Sequence, residues 1–124
     1  MRLLSLDIGT RRTGVAFADT HSGFVVALET IKHRSTPQLI EHLRPLVQQK
    51  GIEKFIIGLP RLPQGQEGSQ AAAVRQVIDA LTQAIDLPVE MLDERYSTPK
   101  NASRFDPDAE SACSLLTVYL ERPK

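Results

Sequence analysis

Three strand-like runs follow one another before any helix signal appears, and that order constrains the fold more than any other feature of the chain. They are Arg2 to Asp7, Thr13 to Asp19 and Gly23 to Ile31. Gly9-Thr10 and His21-Ser22-Gly23 separate them with turn-forming residues, so they predict a three-strand antiparallel meander. Ser35-Thr36-Pro37 then supplies a cap and a first-turn proline, and Leu39, Ile40, Leu43, Leu46 and Val47 recur at helical spacing. Pro45 lies inside this helix and predicts a kink or an early end near Arg44, because it removes one hydrogen bond and its ring crowds the preceding turn.

The rest of the chain alternates. Lys54 to Gly58 is a short apolar run with the look of a buried strand, and Leu59 to Gly68 reads as a loop. A second helix follows, with Val74, Val77, Ile78, Leu81 and Ile85 on one face. Pro88 to Leu92 is the fifth strand, Asp93 to Asp106 reads as irregular, and Asp106-Pro107 opens a last helix carrying Ala112, Leu115, Leu116 and Tyr119 on one face. The order βββαβαβα predicts an α/β fold: a five-stranded mixed sheet, strand order 3-2-1-4-5, flanked by helices and with the first strand central. The 124 residues are read as one domain, 1–124, with no linker or second domain.

Charge narrows the function classes. Lys plus Arg and Asp plus Glu number 15 each, so any case for a nucleic-acid partner has to be local rather than global. No run approaches the ~20 apolar residues of a membrane span, which predicts a cytoplasmic protein without membrane contact. Cys113 is the only cysteine, which excludes an internal disulfide, and its place in an apolar helical run reads as core. His21, His33 and His42 show no metal-ligand spacing and receive no role. Neither a GxxxxGK[ST] loop nor a GxSxG elbow is present, which removes common nucleotide-hydrolase and acyl-transfer readings.

Three acids remain. Asp7 ends the first strand beside a turn whose glycines would let backbone approach a ligand, although the carboxylate could equally cap that turn. Asp93-Glu94-Arg95 follows the fifth strand, at the kind of strand end where open α/β sheets place their sites, although Arg95 could simply pair with either acid. Asp108 opens the last helix, where the helix dipole alone would favour a carboxylate, yet it shares the face of Ala112, Leu115 and Tyr119 and should therefore look toward the sheet. Together, Asp7, Glu94 and Asp108 form the few-carboxylate oxygen set that Mg²⁺ or Mn²⁺ prefers, and two such ions can drive phosphodiester hydrolysis. Asp93 is the alternative to Glu94, because the fifth strand should lie about 10 Å from the first. Arg11, Arg12, Arg61, Arg95, Lys100 and Arg104 gather on the loops at the same end and form a candidate phosphate-binding rim; ordinary solvated charges would look the same.

The run Leu6-Asp7-Ile8-Gly9-Thr10-Arg11-Arg12-Thr13-Gly14, then Gly58-Leu59-Pro60 with Gly65, Glu67-Gly68 and Val74-Arg75, then Asp93-Glu94-Arg95-Tyr96-Ser97-Thr98, and finally Asp108-Ala109 to Tyr119-Leu120, resembles the YqgF/RuvX family. The resemblance spans almost the whole chain in order. It implies an RNase H-like fold and a metal-dependent nuclease acting on nucleic acid, RNA favoured over DNA, in processing of the 5′ end of pre-16S rRNA or in resolving Holliday junctions. It also implies Asp7, Glu94 and Asp108 as catalytic metal ligands and Arg11, Arg12, Arg61, Arg95 and Lys100 as substrate contacts. The chain departs from the family in its short Pro99 to Pro107 connection and in Leu62, where relatives tend to carry Asn. Two rivals are a nucleotide-binding protein of the actin-like kind, which shares the Asp-x-Gly-Thr opening but needs a second domain, and a non-catalytic RNA-binding ribosome-assembly factor. Monomer and weak dimer stay open.

Overall fold

The computed structural model describes residues 1–60, 68–94 and 107–121, with side chains for all of these except 94 and 107–110. In chain order the elements are β1 (Arg2–Ile8), β2 (Arg12–Asp19), β3 (Phe24–Ala27), β4 (Ile31–Lys32), α1 (Thr36–Lys50), β5 (Lys54–Pro60), α2 (Ser69–Ala84), β6 (Val89–Glu94) and α3 (Pro107–Glu121). The sheet runs β3-β2-β1-β5-β6 with β4 paired to β2, antiparallel on the β2 side and parallel on the β5 side. The central first strand and the mixed sheet match the expectation from sequence.

One difference concerns the third run, which is two strands. Ala27 pairs with Ala16 and Ile31 with Thr13, so Leu28, Glu29 and Thr30 stand against only Gly14 and Val15. That is one residue too many for continuous pairing, and the chain accommodates it as a bulge. The shift in phase buries Ile31 beside Val15 and makes Lys32 the cross-strand partner of Arg12.

β5 and β6 also run on to Pro60 and Glu94, past the strand ends at Gly58 and Leu92 expected from sequence. A further difference is α1, which does not end near Arg44 but runs through Pro45 to Lys50. Leu39, Ile40 and Leu43 hold it to the core, Ser35 accepts a hydrogen bond from the Gln38 amide, and Gly51 closes it in the left-handed conformation. Pro45 sits on the exposed side, where water can satisfy the carbonyl left without a donor.

Strand alternation divides the interior into two cores. Leu4, Leu6 and Ile8 of β1 join Val15, Phe55 and Ile57 beneath α1 and α2. Leu3, Ala16, Ala18, Ile56 and Leu92 face the other way and pack against Ala112, Leu115 and Leu116 of α3. Cys113 is half-buried at the margin of this second core rather than inside it.

Candidate functional site

Period-two alternation puts Asp7 on the α3 face with Leu3 and Ser5. Polarity rises along that row, from Leu3 through Ser5, both fully buried, to a half-buried Asp7 at the strand end. The Ser5 hydroxyl donates to the Ala112 carbonyl at 2.6 Å, which fixes where α3 crosses the strand. Its direction follows from Lys54, which pairs with Leu3 at the start of β1 and donates from Nζ to the Tyr119 hydroxyl at 3.1 Å. Tyr119 thus lies over the beginning of β1 and Ala112 over its middle, so α3 runs antiparallel to β1. Asp108 precedes Ala112 by about one helical turn, roughly 6 Å of rise, and Asp7 lies beyond Ser5 by roughly 7 Å in the same direction. The backbone therefore brings the first turn of α3 over the end of β1; the expected inward aim of the Asp108 side chain lies outside the described residues.

Glycines flank Asp7 on both sides. Gly14 is its partner on β2, and the pairing of Leu6 with Ile57 sets Gly58 beside it on β5. Gly58 belongs to the α3 face, since its cross-strand neighbour Leu92 is part of that core. Neither strand neighbour carries a Cβ, so no side chain of β2 or β5 stands beside the carboxylate at this level. Gly9 has a different reason to be glycine: a Cβ there would stand 2.5 Å from the Arg12 carbonyl, which the Gly9 amide contacts in closing the turn.

Glu94 is the last residue of β6, in register with Pro60, and shares the strand phase of Leu92. Asp93 takes the opposite phase, in register with Leu59, and is exposed. β6 stands two places from β1, the separation expected from the sequence. Among the described residues no three of His, Cys, Asp and Glu converge on one point. By chemistry the donor set assigned from sequence is of the all-carboxylate kind that a hard cation takes: a half-buried Asp7 between two glycines, with two further acids on elements whose backbones reach the same end of the sheet.

A second feature lies on the other flank of this sheet end. Arg11, Arg12, Lys32, His33, Arg34 and His42 line an open cavity of about 1140 Å³ beside the start of α1. Arg11 and Arg12 are legible as candidates from sequence, and the other four are not. Lys32 becomes visible only through its pairing with Arg12, and Arg34 and His42 only through the packing of α1 beside β4. His33 is 8% exposed; its Nε2 meets the Thr13 hydroxyl at 2.9 Å and its Nδ1 is buried without a hydrogen-bond partner. Burial, and secondarily the nearby His42, hold its pKa below the usual 6.5. Arg61, Arg95, Lys100 and Arg104, together with Leu62 and the Pro99 to Asp106 part of the short connection, lie outside the described residues. No described helix is long and apolar enough to cross a membrane.

Comparison with known proteins bears on the family and the fold. A family model described as "RuvX: Holliday junction resolvase" matches residues 1–122. A Moorella thermoacetica protein named as a candidate pre-16S rRNA nuclease is 39% identical, over 98% of this chain and 96% of its own length. A Chloroflexus aggregans protein with the same name is 38% identical over 77% of this chain and 68% of its own, while two Chloroflexus aurantiacus relatives are covered over 63% of theirs. The fold is similar to that of Thermus thermophilus RuvC solved with a Holliday junction substrate, with a TM-score of 0.65 at 14% identity, covering 97% of this chain and 93% of that one.

Proposed function

The chain belongs to the RuvX family, and from that premise we propose that it is a nuclease which hydrolyses phosphodiester bonds of nucleic acid, with Asp7, Glu94 and Asp108 holding Mg²⁺ or Mn²⁺. The observation that carries the reading is the placement of Asp7: a half-buried carboxylate at the end of the central strand, between Gly14 and Gly58, under the first turn of α3. A carboxylate that served only to cap its turn would not need a glycine on each neighbouring strand. When bound, the metal would supply an activated water and neutralise charge on the phosphodiester.

The chain's own residues have the positioning roles. Ser5 ties α3 to β1 through the Ala112 carbonyl, so the distance between Asp7 and the helix start is fixed by a buried hydrogen bond rather than by surface contacts. Leu3, Ile56, Leu92 and Leu116 close the α3 core behind the acids and keep water on the open side. Arg11 and Arg12, with Arg61, Arg95 and Lys100 from the adjoining loops, would neutralise substrate phosphates. The names of the curated relatives favour precursor rRNA as substrate, and the family description makes a four-way DNA junction the comparison to run beside it.

The test is cleavage of a labelled precursor-rRNA fragment and a four-way junction, in Mg²⁺, in Mn²⁺ and in chelator, by the wild type and by Asp7→Asn. The variant keeps shape and hydrogen bonding while losing charge, and should fold normally and lose at least roughly 100-fold in metal-dependent cleavage. Equal cleavage by the two proteins would remove the nuclease reading and leave a binding factor of the same fold.

A further inference from the structure

The cavity at the start of α1 is separate from the acids. Arg12 and Lys32 are cross-strand partners on β2 and β4, Arg11 lies one residue before β2, and Arg34 stands between β4 and the cap of α1. The segment is pinned by its backbone: the His33 amide donates to the Arg11 carbonyl at 2.9 Å, and the Arg34 amide to Gln38 Oε1 at 2.7 Å. Guanidinium and ammonium groups are therefore displayed from ordered strand ends rather than from a loose loop.

The electrostatics are one-sided. Among the described residues, the side chains of Arg11, Lys32 and Arg34 have no ion-pair partner. Among the described residues Glu41 is the one carboxylate lining the cavity, and it is engaged by Arg44 at 3.2 Å. The first turn of α1 contains no acid, so the positive end of its dipole is uncompensated by its own helix. His33 also lines the cavity, but its Nδ1 lies below the surface, and the exposed Arg11, Lys32 and Arg34 are the groups that a ligand in the opening would meet.

We propose that this cavity is a phosphate-binding cradle for the backbone of a nucleic-acid strand, a second contact region that leads the strand across the sheet end toward Asp7. It rests on the reading of the protein as acting on nucleic acid, and adds to it which flank the strand enters from and which residues hold it. A strand suits the cavity better than a single small anion does, because the cations are spread over β2, β4 and the approach to α1 around a wide opening. β4 lies about 10 Å from β1 at the usual strand spacing, which a short stretch of one strand's backbone spans.

The experiment measures binding in chelator, so that it does not depend on metal chemistry. Affinity for labelled single-stranded RNA is followed against salt for the wild type, for the double variant Lys32→Ala with Arg34→Ala, and for Glu41→Gln. Two lost phosphate contacts should lower the slope of log affinity against log salt by about 1.4 and weaken binding at low salt by roughly tenfold or more. Glu41→Gln, which removes the only opposing charge among the described residues that line the cavity, should bind more tightly than the wild type. Thermal melts establish that the variants are folded. Unchanged affinity and slope in a folded double variant, with Glu41→Gln equal to wild type, would overturn the cradle. Inorganic phosphate is the control arm: if it shifts the ring resonances of His33 and His42 while strand affinity stays unchanged in the double variant, the cavity takes a free anion and the strand proposal is wrong. Failure of the nuclease reading shows differently, as no metal-dependent cleavage by the wild type with these binding differences intact.

Discussion

The two faces of the sheet are built from alternate residues of the same strands, yet they bury different things. Under α1 and α2 the interior is continuous and apolar, with Leu4, Leu6, Phe55, Ile57, Leu39, Leu43 and Leu81 all at or near complete burial. Under α3 the core is smaller, and the β1 row through it passes from Leu3 to Ser5 to Asp7. The first face keeps its buried polar groups to one margin, where Thr13 meets His33, while the second admits the Ser5 hydroxyl, pairs it with a helix carbonyl, and ends at a carboxylate flanked by glycines. Stability is concentrated on one side of the sheet and the candidate chemistry on the other, and β1 serves both because its side chains alternate.

The largest expected effect comes from damaging the first face. Phe55→Ala removes a fully buried ring from beneath α1 and α2 and should cost about 3–5 kcal/mol in denaturant unfolding. The molecules that remain folded should cleave nearly as well as wild type, because the ring is on the side away from Asp7. A folded fraction with cleavage reduced as far as that of Asp7→Asn would break the division between faces.

Ser5→Ala sharpens the comparison from the other side. It removes the bond to the Ala112 carbonyl, which as a helix carbonyl lies within reach of a backbone donor of its own helix, so the loss should be only about 1 kcal/mol of stability. Cleavage should fall by more than that energy implies, since α3 would be free to shift relative to Asp7. Ser5→Thr, which retains a hydroxyl, should recover part of the activity; full activity in Ser5→Ala would mean that α3 is positioned by its apolar contacts alone.

The smallest effect concerns pH. Because the folded-state pKa of His33 is depressed, chiefly by burial, the unfolded chain takes up its proton first as pH falls. Between the unfolded value of 6.5 and the lower folded one the unfolded state binds more protons, so stability is full above that range and declines as pH drops through it. Unfolding measured from pH 8 to pH 5 should show a slope that His33→Gln flattens. Identical pH profiles for the two proteins would show that His33 is not held neutral by its setting.

Much of this was legible in the sequence because periodicity is a local property. The alternation in β1 and β2, the helical spacing in α1, α2 and α3, and the order of elements together required a mixed sheet with β1 at its centre. Some local inferences did not hold. Pro45 read as a kink or an early end for α1, and the early end is absent: the residue lies on the exposed side of a helix anchored by Leu39, Ile40 and Leu43, and packing of that face outweighs one missing backbone bond. The third strand read as continuous because a bulge leaves no mark in composition; it exists only as a mismatch of register between two strands.

The site divides along the same line. Asp7 could be picked out from sequence, since a carboxylate closing an apolar strand beside Gly9 is visible one residue at a time. The flanking of Asp7 by Gly14 and Gly58 could not, because it depends on the antiparallel register with β2 and the parallel register with β5. Nor could the joining of Arg12 with Lys32, or the placement of His33 against Thr13, both of which follow from the phase shift at the bulge. The sequence by itself determined which residues alternate, which repeat at helical spacing and which carry charge, because those depend on nearest neighbours along the chain. The tertiary structure decided which of them share a face and a strand level, because strand register and the direction of α3 are set by contacts such as Ser5 with Ala112 and Lys54 with Tyr119 that join residues far apart in the chain.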